Sequence, residues 1–195
     1  MTDITPLQLE TERLRIRPFV LDDLAVIAVL LDEAFGAQPM AERRQWIEWS
    51  VRNYDALARM YQPPYGDYAL VRKTDGELIG SVGYVQSYGP FGKLPYFRVR
   101  AKEPVSDLCT PQFGLFWALG TAHQGQGYAT EGARALIDHA FTRLSLRHIV
   151  ATTEYDNHAS IAVMQRLGMT IERNPDPTPP WFQIVGVLEH PALRA

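Results

Sequence analysis

The sequence predicts an α/β fold: one mixed, mostly antiparallel sheet of about seven strands with four flanking helices. Short alternating or apolar runs recur along the chain, as expected for strands, and they are interleaved with longer segments whose apolar residues follow helical spacing. No internal repeat, low-complexity tract or break in composition marks a second domain. A chain of 195 residues can bury a substantial core. We therefore expect a single domain over residues 1–195.

Composition narrows the class of protein. Apolar residues make up 46% and charged residues 21%, and the formal net charge is −3, so no general attraction to nucleic acid or to an anionic membrane is expected. The only cysteine, Cys109, excludes an internal disulfide. The N-terminus carries Asp3, Glu10 and Glu12 rather than a signal pattern, and apolar stretches such as Leu24 to Leu31 are far shorter than a membrane span. We expect a cytoplasmic protein without a metal.

The first third of the chain predicts a strand and two helices. Arg13 to Arg17 alternates strictly, as a half-buried strand does. A helix is expected from about residue 24 to Phe35, and a second from about residue 41 to Met60. The aromatic residues of the second helix and its end are interpreted either as core packing or as the lining of an acceptor pocket: Trp46, Trp49, Tyr54 and Tyr61.

A hairpin and an unusual segment come next. Strands are expected at 68–72 and 78–86, joined by a turn containing Asp75-Gly76. Residues 87–111 are rich in Gly and Pro and contain four aromatic residues, which argues against simple disorder. We interpret 87–111 as an insert, with 97–100 as a candidate short strand. A lid function is a hypothesis for this segment.

The second half predicts the pattern βαβαββ. An apolar strand at 113–119 precedes the strongest helical pattern, from Ala129 to Leu144. A strand at 148–153 follows, then a shorter helix that Asp156 or Asn157 can cap and Gly168 can close. Two further strands are expected at 169–173 and 181–188, on either side of a Pro-rich loop at 174–180.

The segment between the apolar strand and the long helix carries the chemistry. A strand, a Gly-rich turn over 120–127 and a helix follow one another, which is an arrangement that holds phosphate groups. A P-loop would need a lysine where Tyr128 stands. A dinucleotide fingerprint would need a glycine where Thr130 stands. Neither of these two nucleotide motifs fits.

The turn and its surroundings resemble a known family, the GNAT acyl-CoA-dependent N-acetyltransferases, and in particular their ribosomal-protein-alanine acetyltransferase branch. The resemblance extends over most of the chain, and the insert is the poorest match. The residues that carry it are Leu9 to Pro18, Leu119-Gly120, the run Gln124-Gly125-Gln126-Gly127-Tyr128-Ala129-Thr130-Glu131, Asn157 with Ser160, and Leu167-Gly168.

The resemblance implies roles for individual residues. The backbone of the turn and of the helix start would hold the pyrophosphate of acetyl-CoA, and the edge of Leu119 would pair with the pantetheine arm. Asn157 and Ser160 would lie near the pantetheine and the thiol, and Ser160 is the candidate general acid. The alternative for Ser160 is a packed helix hydroxyl. The implied cofactor-binding residues are Leu119, Gln124, Gly125, Gln126, Gly127, Tyr128, Ala129, Thr130, Asn157 and Ser160.

The chain also departs from the family pattern. Many relatives carry a tyrosine acid at the position of Met164, and members of this branch often carry a glutamate at about Gly114. No general base is therefore assigned. The candidates are Glu131, His123 and Glu154, although Glu131 also suits the first turn of a helix and His123 a solvated loop. An acyl-carrying role for Cys109 is disfavoured because no paired histidine is evident.

These patterns predict an acetyl-CoA-dependent N-acetyltransferase in which a primary amine attacks the thioester directly. The acceptor is either a protein N-terminus or a small-molecule amine, and the protein is expected to be a monomer or a homodimer. The alternative is a non-catalytic acyl-CoA-binding sensor or regulatory protein. Turnover with a panel of amines distinguishes the two, because both bind CoA.

Overall fold

The computed structural model describes residues 6–102 and 104–193, and it confirms the α/β class. The outermost residues of the expected single domain, and residue 103 of the insert, lie outside the described part. The α-helices are α1 Leu24–Phe35, α2 Met40–Arg59, α3 Pro95–Ala101, α4 Tyr128–Thr142 and α5 His158–Arg166. The strands are β1 Leu9–Glu10, β2 Leu14–Arg17, β3 Gly66–Arg72, β4 Leu78–Gly89, β5 Thr110–Leu119, β6 His148–Thr153, β7 Thr170–Arg173 and β8 Ile184–Glu189.

The described residues contain one strand and one α-helix more than the sequence predicted. The additional strand is β1, which pairs antiparallel with β2. The additional helix is α3, and it occupies 97–100, where a strand was the candidate. Pro95 stands in its first turn, where its fixed φ suits a helix, and the N–H of Tyr96 donates to Glu172 Oε1 at 3.1 Å.

The strands follow the sheet order β1-β2-β3-β4-β5-β6-β8-β7. Neighbours pair antiparallel from β1 to β4 and again among β6, β8 and β7, whereas β5 pairs parallel with β6. Contacts divide the chain into two compact units. The first comprises the chain up to Val85 together with Phe116–Asp138, and the second comprises Gln86–Leu115 together with the chain from His139 onward.

The first unit has a core between its strands and the helices α1 and α2. The alternation predicted for β2 is confirmed, because Leu14 and Ile16 are both 0% exposed. Gly80 on β4 allows a close backbone approach, since a Cβ there would lie 2.2 Å from the carbonyl oxygen of Ala118. The buried residues of this core are Phe19, Leu24, Ile27, Leu31, Ile47, Ala69, Val71, Leu78 and Ala118.

The second unit builds part of its core from the insert. Phe91, Leu94 and Tyr96 pack with residues of β6 and β8 and with Phe182. Lys93 forms ion pairs with Asp107 at 2.6 Å and with Asp176 at 3.4 Å. The insert is therefore a packed element, and its lysine joins it to the Pro-rich loop that carries Asp176.

Within the described part of the chain, no single helix has both the length and the apolar composition of a membrane span. Only a pair taken together does so, and its two segments, Leu21–Phe35 and Met40–Arg59, are bent by 110°.

Candidate active site

The Gly-rich turn follows β5 in the first unit. After Leu119 the chain forms a short 3₁₀ turn over Thr121–His123, and α4 begins at Tyr128. Gly125 has a φ of +73° and Gly127 a φ of +83°, which is the left-handed region that favours glycine. Left-handed residues at such positions turn successive backbone N–H groups toward a common concavity that binds anions. The predicted Gly-rich turn is thus present, with both glycines at positive φ.

The start of α4 supplies further donors. The N–H of Glu131 donates to the carbonyl of Gly127 at 3.0 Å, so the preceding N–H groups, of Tyr128, Ala129 and Thr130, have no acceptor inside the helix. The Thr130 hydroxyl is buried, and it has no hydrogen-bond partner among the described residues. Such N–H groups, together with the helix dipole, favour an anion.

Two glutamine side chains shape the turn from within. Gln124 Nε2 donates to the carbonyl of Leu119 at 3.1 Å, and Gln126 Nε2 donates to the carbonyl of Ala122 at 3.1 Å. Both side-chain amides therefore bind the turn's own backbone. At Gln124 the backbone N–H is engaged as well, since it donates to the carbonyl of Thr121 at 3.3 Å.

Arg13, from the end of the loop before β2, holds the turn from outside. Its Nε and Nη2 each lie 2.6 Å from Glu131 Oε2, and its Nη1 donates to the carbonyl of Gln126 at 3.1 Å. The guanidinium also lies over the Tyr128 ring, 4.6 Å from its centroid. The sequence pattern assigned Arg13 no role of its own beyond its place in an alternating strand and in the family-like opening segment. Its place in the family-like opening segment was the signal that could have singled it out.

Glu131, one candidate general base, is occupied by these contacts. Its Oε1 accepts hydrogen bonds from the Thr11 hydroxyl and from the N–H of Arg13. Burial alone would raise the pKa of Glu131, but the hydrogen bonds from Thr11 and Arg13 outweigh that effect, and the pKa is lower than usual. A carboxylate held in this way favours positioning of the turn over proton abstraction.

The other two candidate bases lie in different surroundings. The expectation of a solvated loop residue at His123 is wrong: its side chain is only 12% exposed, and its Nε2 lies 3.6 Å from Glu77 Oε1. Glu154 is exposed after β6. Neither observation identifies a base.

Asn157 and Ser160 lie together in the second unit, at the start of α5. Asn157 is the N-cap, and its Oδ1 accepts a hydrogen bond from the N–H of Ser160 at 3.0 Å. The NH₂ of Asn157 makes no hydrogen bond within the described part of the chain. Met164, at the position where many relatives carry a tyrosine, is 0% exposed, and it belongs to the core.

The predicted site residues thus form two sets. Leu119 and the residues from Gln124 to Thr130 lie together in the first unit, and Asn157 and Ser160 lie together in the second. Of the four aromatic residues considered for an acceptor pocket, Tyr54 is 6% exposed and Trp46 packs on Phe19 with ring centroids 5.4 Å apart. Trp49 and Tyr61 are 58% and 75% exposed. The first pair therefore follows the core-packing interpretation.

The fold is similar to that of solved acetyltransferase structures. A solved acetyltransferase from Agrobacterium tumefaciens shares the fold with a TM-score of 0.67, at 24% identity over 95% of both chains. A structure of RimL, a ribosomal L7/L12 alpha-N-protein acetyltransferase in complex with coenzyme A, has a TM-score of 0.59 at 18% identity over 93% of this chain and 96% of that one. These likenesses show the fold.

The amino-acid sequence is also similar to those of acetyltransferases. The spermidine N(1)-acetyltransferase of Escherichia coli K12 is 24% identical over 161 residues, which are 81% of this chain and 73% of the relative. The sequence model of the acetyltransferase (GNAT) domain matches residues 13–170, which include the turn, Asn157 and Ser160. The chain therefore belongs to the GNAT acetyltransferase family, and it is an N-acetyltransferase.

Proposed function

We propose that this protein transfers the acetyl group of acetyl-CoA to a primary amine by direct attack, without an acyl-enzyme. The observation that carries the proposal is the turn in which Gly125 and Gly127 direct the backbone N–H groups to the start of α4. A pyrophosphate offers several anionic acceptors, and it matches a row of N–H donors at a helix start.

In this proposal the backbone recognises the cofactor. The N–H groups from Gly125 to Thr130 bind the pyrophosphate, while the side chains of Gln124 and Gln126 keep the turn in shape. The backbone edge at Leu119 pairs with the pantetheine arm. Arg13 leaves 42% of its side chain exposed beside the turn, and its positive charge adds to the attraction for the anion.

The reaction needs a neutral amine and a proton for the leaving group. The nitrogen lone pair attacks the thioester carbonyl, a C–N bond forms, and the C–S bond breaks as the tetrahedral intermediate collapses. Ser160 donates its hydroxyl proton to the departing thiolate and regains one as the acylated nitrogen loses a proton, and the NH₂ of Asn157 donates to the pantetheine. The Asn157 cap fixes the N-terminal turn of α5, from which Ser160 projects.

The class of acceptor follows from the relatives only at a coarse level. One relative is named for a polyamine and another for a protein N-terminus, so peptide N-termini and small amines are both proposed acceptors. The exposed aromatic side chains Trp49 and Tyr61 are available to contact an acceptor. Trp46 and Tyr54 are committed to packing.

The test is thiol release from acetyl-CoA with a panel of peptides and small amines. Because Cys109 is exposed and would itself react with a thiol reagent, the assay uses Cys109→Ser alongside the natural chain. We expect amine-dependent release of CoA, with a mass increase of one acetyl group on the acceptor. Tight CoA binding without turnover on any amine would instead identify a sensor, and the absence of CoA binding would overturn the assignment of the turn.

A further inference from the structure

Asp67 has a carboxylate without a hydrogen-bond donor or a cation among the described residues. It is the second residue of β3 and is half-buried. Its backbone carbonyl accepts a hydrogen bond from the Tyr54 hydroxyl at 2.5 Å. Its side chain makes no hydrogen bond or ion pair with any other residue that the structure describes. Because partly buried carboxylates are normally paired, such an acid points to a ligand.

The sheet leaves space on the face where this carboxylate lies. Asp67 is directly opposite Gly83 on β4, and directly opposite residues point to the same face. Gly83 has no side chain, and a Cβ there would lie 2.1 Å from the carbonyl oxygen of Gly66, so the close approach of the two backbones requires glycine. The nearest cross-strand position therefore offers Asp67 no partner.

A second polar group on this face is also unpartnered. Ser81 lies opposite Ala69, two residues along β3 from Asp67, so the three side chains share one face of the sheet. Ser81 is 0% exposed, and its hydroxyl has no hydrogen-bond partner among the described residues. Ala69 packs in the core beneath α1 and α2, so this face is the one that those helices cover. Two unfilled polar groups next to an apolar core mark a place for a polar ligand group or water.

The surroundings suit a cationic group. Tyr54, from α2, donates its hydroxyl to the backbone carbonyl of Asp67, so a residue of the covering helix reaches this strand position. A half-buried carboxylate without a paired cation attracts an ammonium ion. The nearby Arg17 is bound to Asp23 through bonds of 2.7 and 2.8 Å, so it is not the counter-ion of Asp67.

We propose that Asp67 binds the ammonium group of the acceptor and removes its proton. This inference rests on the proposed acetyl transfer, and it supplies the base that was left unassigned when Gly114 replaced the usual glutamate. A proton passes from the ammonium nitrogen to a carboxylate oxygen of Asp67. The freed lone pair then forms the C–N bond to the acetyl carbon and the C–S bond breaks. The second proton that the nitrogen loses as the amide forms balances the proton taken up by the thiolate.

The pKa supports this role. Burial raises the pKa of Asp67 to about 6, which is closer to neutrality than that of an ordinary aspartate and more suitable for a base. The titratable and charged groups around it are Tyr54, whose pKa is raised by burial, and the Arg17–Asp23 pair. Burial keeps Tyr54 neutral and Arg17 is already bound to Asp23, so neither supplies a cation that would lower the pKa of Asp67.

The test compares Asp67→Asn with Asp55→Asn, which removes the same charge from an exposed position on α2. For an amine acceptor, we expect kcat/KM to fall by about 100-fold in Asp67→Asn and by less than about twofold in the control. The rise of kcat/KM with pH around 6 disappears in Asp67→Asn. The defect shrinks for an acceptor amine that is already neutral at the assay pH, which a purely structural role would not produce.

The failures of the two proposals are distinguishable. CoA affinity, measured by calorimetry, should be within twofold of the natural protein for both variants. If the natural protein is active and Asp67→Asn keeps its kcat/KM within threefold with the same pH profile, Asp67 is not the base. If the natural protein releases no thiol with any amine, the proposed acetyl transfer fails first.

Discussion

Arg13 and Glu131 form an ion pair that fastens the loop before β2 to the first turn of α4. Arg13 Nε and Nη2 both lie 2.6 Å from Glu131 Oε2, and the backbone N–H of Arg13 donates to Glu131 Oε1 at 2.9 Å. Because Nη1 also binds the carbonyl of Gln126, one guanidinium connects the helix and the turn before it. The Gly-rich turn is therefore supported by a residue distant in sequence.

Arg13→Ala should weaken CoA binding. The substitution frees the Gln126 carbonyl and leaves the Glu131 carboxylate without its cation beside the anion site. We expect a loss of about 10- to 100-fold in CoA affinity by calorimetry, corresponding to about 1.5 to 3 kcal/mol. Arg15→Ala is the control, because that arginine lies two residues further along the same segment but pairs with Glu10 at the surface. Equal effects of the two substitutions would contradict the role of Arg13.

Gly125→Ala should lower CoA affinity by changing the backbone conformation of the turn. Nothing lies within 4 Å of a Cβ at Gly125, so the cost comes from its φ of +73° alone, about 1 to 2 kcal/mol for an alanine. Relaxation of the turn would move its N–H groups, and we expect CoA affinity to fall about tenfold. Gly76→Ala, with a φ of +75° and equally open surroundings in the β3–β4 hairpin, should lose similar stability but keep its CoA affinity.

Substitutions of Asn157 distinguish the role of its oxygen, which caps α5, from the role of its NH₂ group as a donor. Asn157→Ala removes the N-cap of α5 and should lower stability by about 1 kcal/mol, measured by thermal unfolding. Asn157→Asp keeps a capping oxygen, so its melting temperature should stay near that of the natural protein. Because the new carboxylate cannot donate to the pantetheine, we expect the kcat/KM of Asn157→Asp for acetyl-CoA to fall by at least about tenfold. Full activity of Asn157→Asp would contradict a donor role for the Asn157 NH₂ and leave this residue only its role as the N-cap of α5.

Asp67→Asn should make the protein more stable while making it less active. An acid whose pKa is raised in the folded state binds more protons when folded, so stability falls as pH rises through the range from about 4 to 6. Above that range the buried charge costs at most about 3 kcal/mol, which the uncharged amide relieves. We expect a higher melting temperature for Asp67→Asn at pH 7.5 and a smaller gain at pH 5. A destabilised variant at pH 7.5 would indicate an unrecognised structural partner.

Sequence periodicity located most elements because their burial follows the pattern of the chain. The alternation of β2 and the cap and closing glycine of α5 are local signals, and the structure has them as expected: Asn157 caps α5, and Gly168 has a φ of +79°. The Gly-rich turn was equally readable, since its glycines mark positive φ. Within the insert, by contrast, the Gly and Pro content indicated a loop with a candidate strand at 97–100, although Pro95 stands at the start of α3, where it favours a helix.

The features that the sequence did not reveal are long-range contacts. The partnership of Arg13 with Glu131 joins positions 118 apart, and no local pattern encodes it. His123 was expected in solvent because it lies in the Gly-rich turn, but the turn before β4 brings Glu77 to it. Asp67 drew no attention, because an aspartate at the start of a strand is ordinary until the opposite residue is known to be glycine.

The two ion pairs of Lys93 bear on how new specificities could be built from this scaffold. Asp107 and Asp176 are 69 residues apart in the chain, yet both depend on the same ammonium group. A chimera that imports residues 87–111 from a relative would strip Asp176 of its cation, and one that imports only the Pro-rich loop would strip Lys93 of an anion. The insert and that loop should therefore be exchanged together in any chimera, because their ion pairs share one lysine.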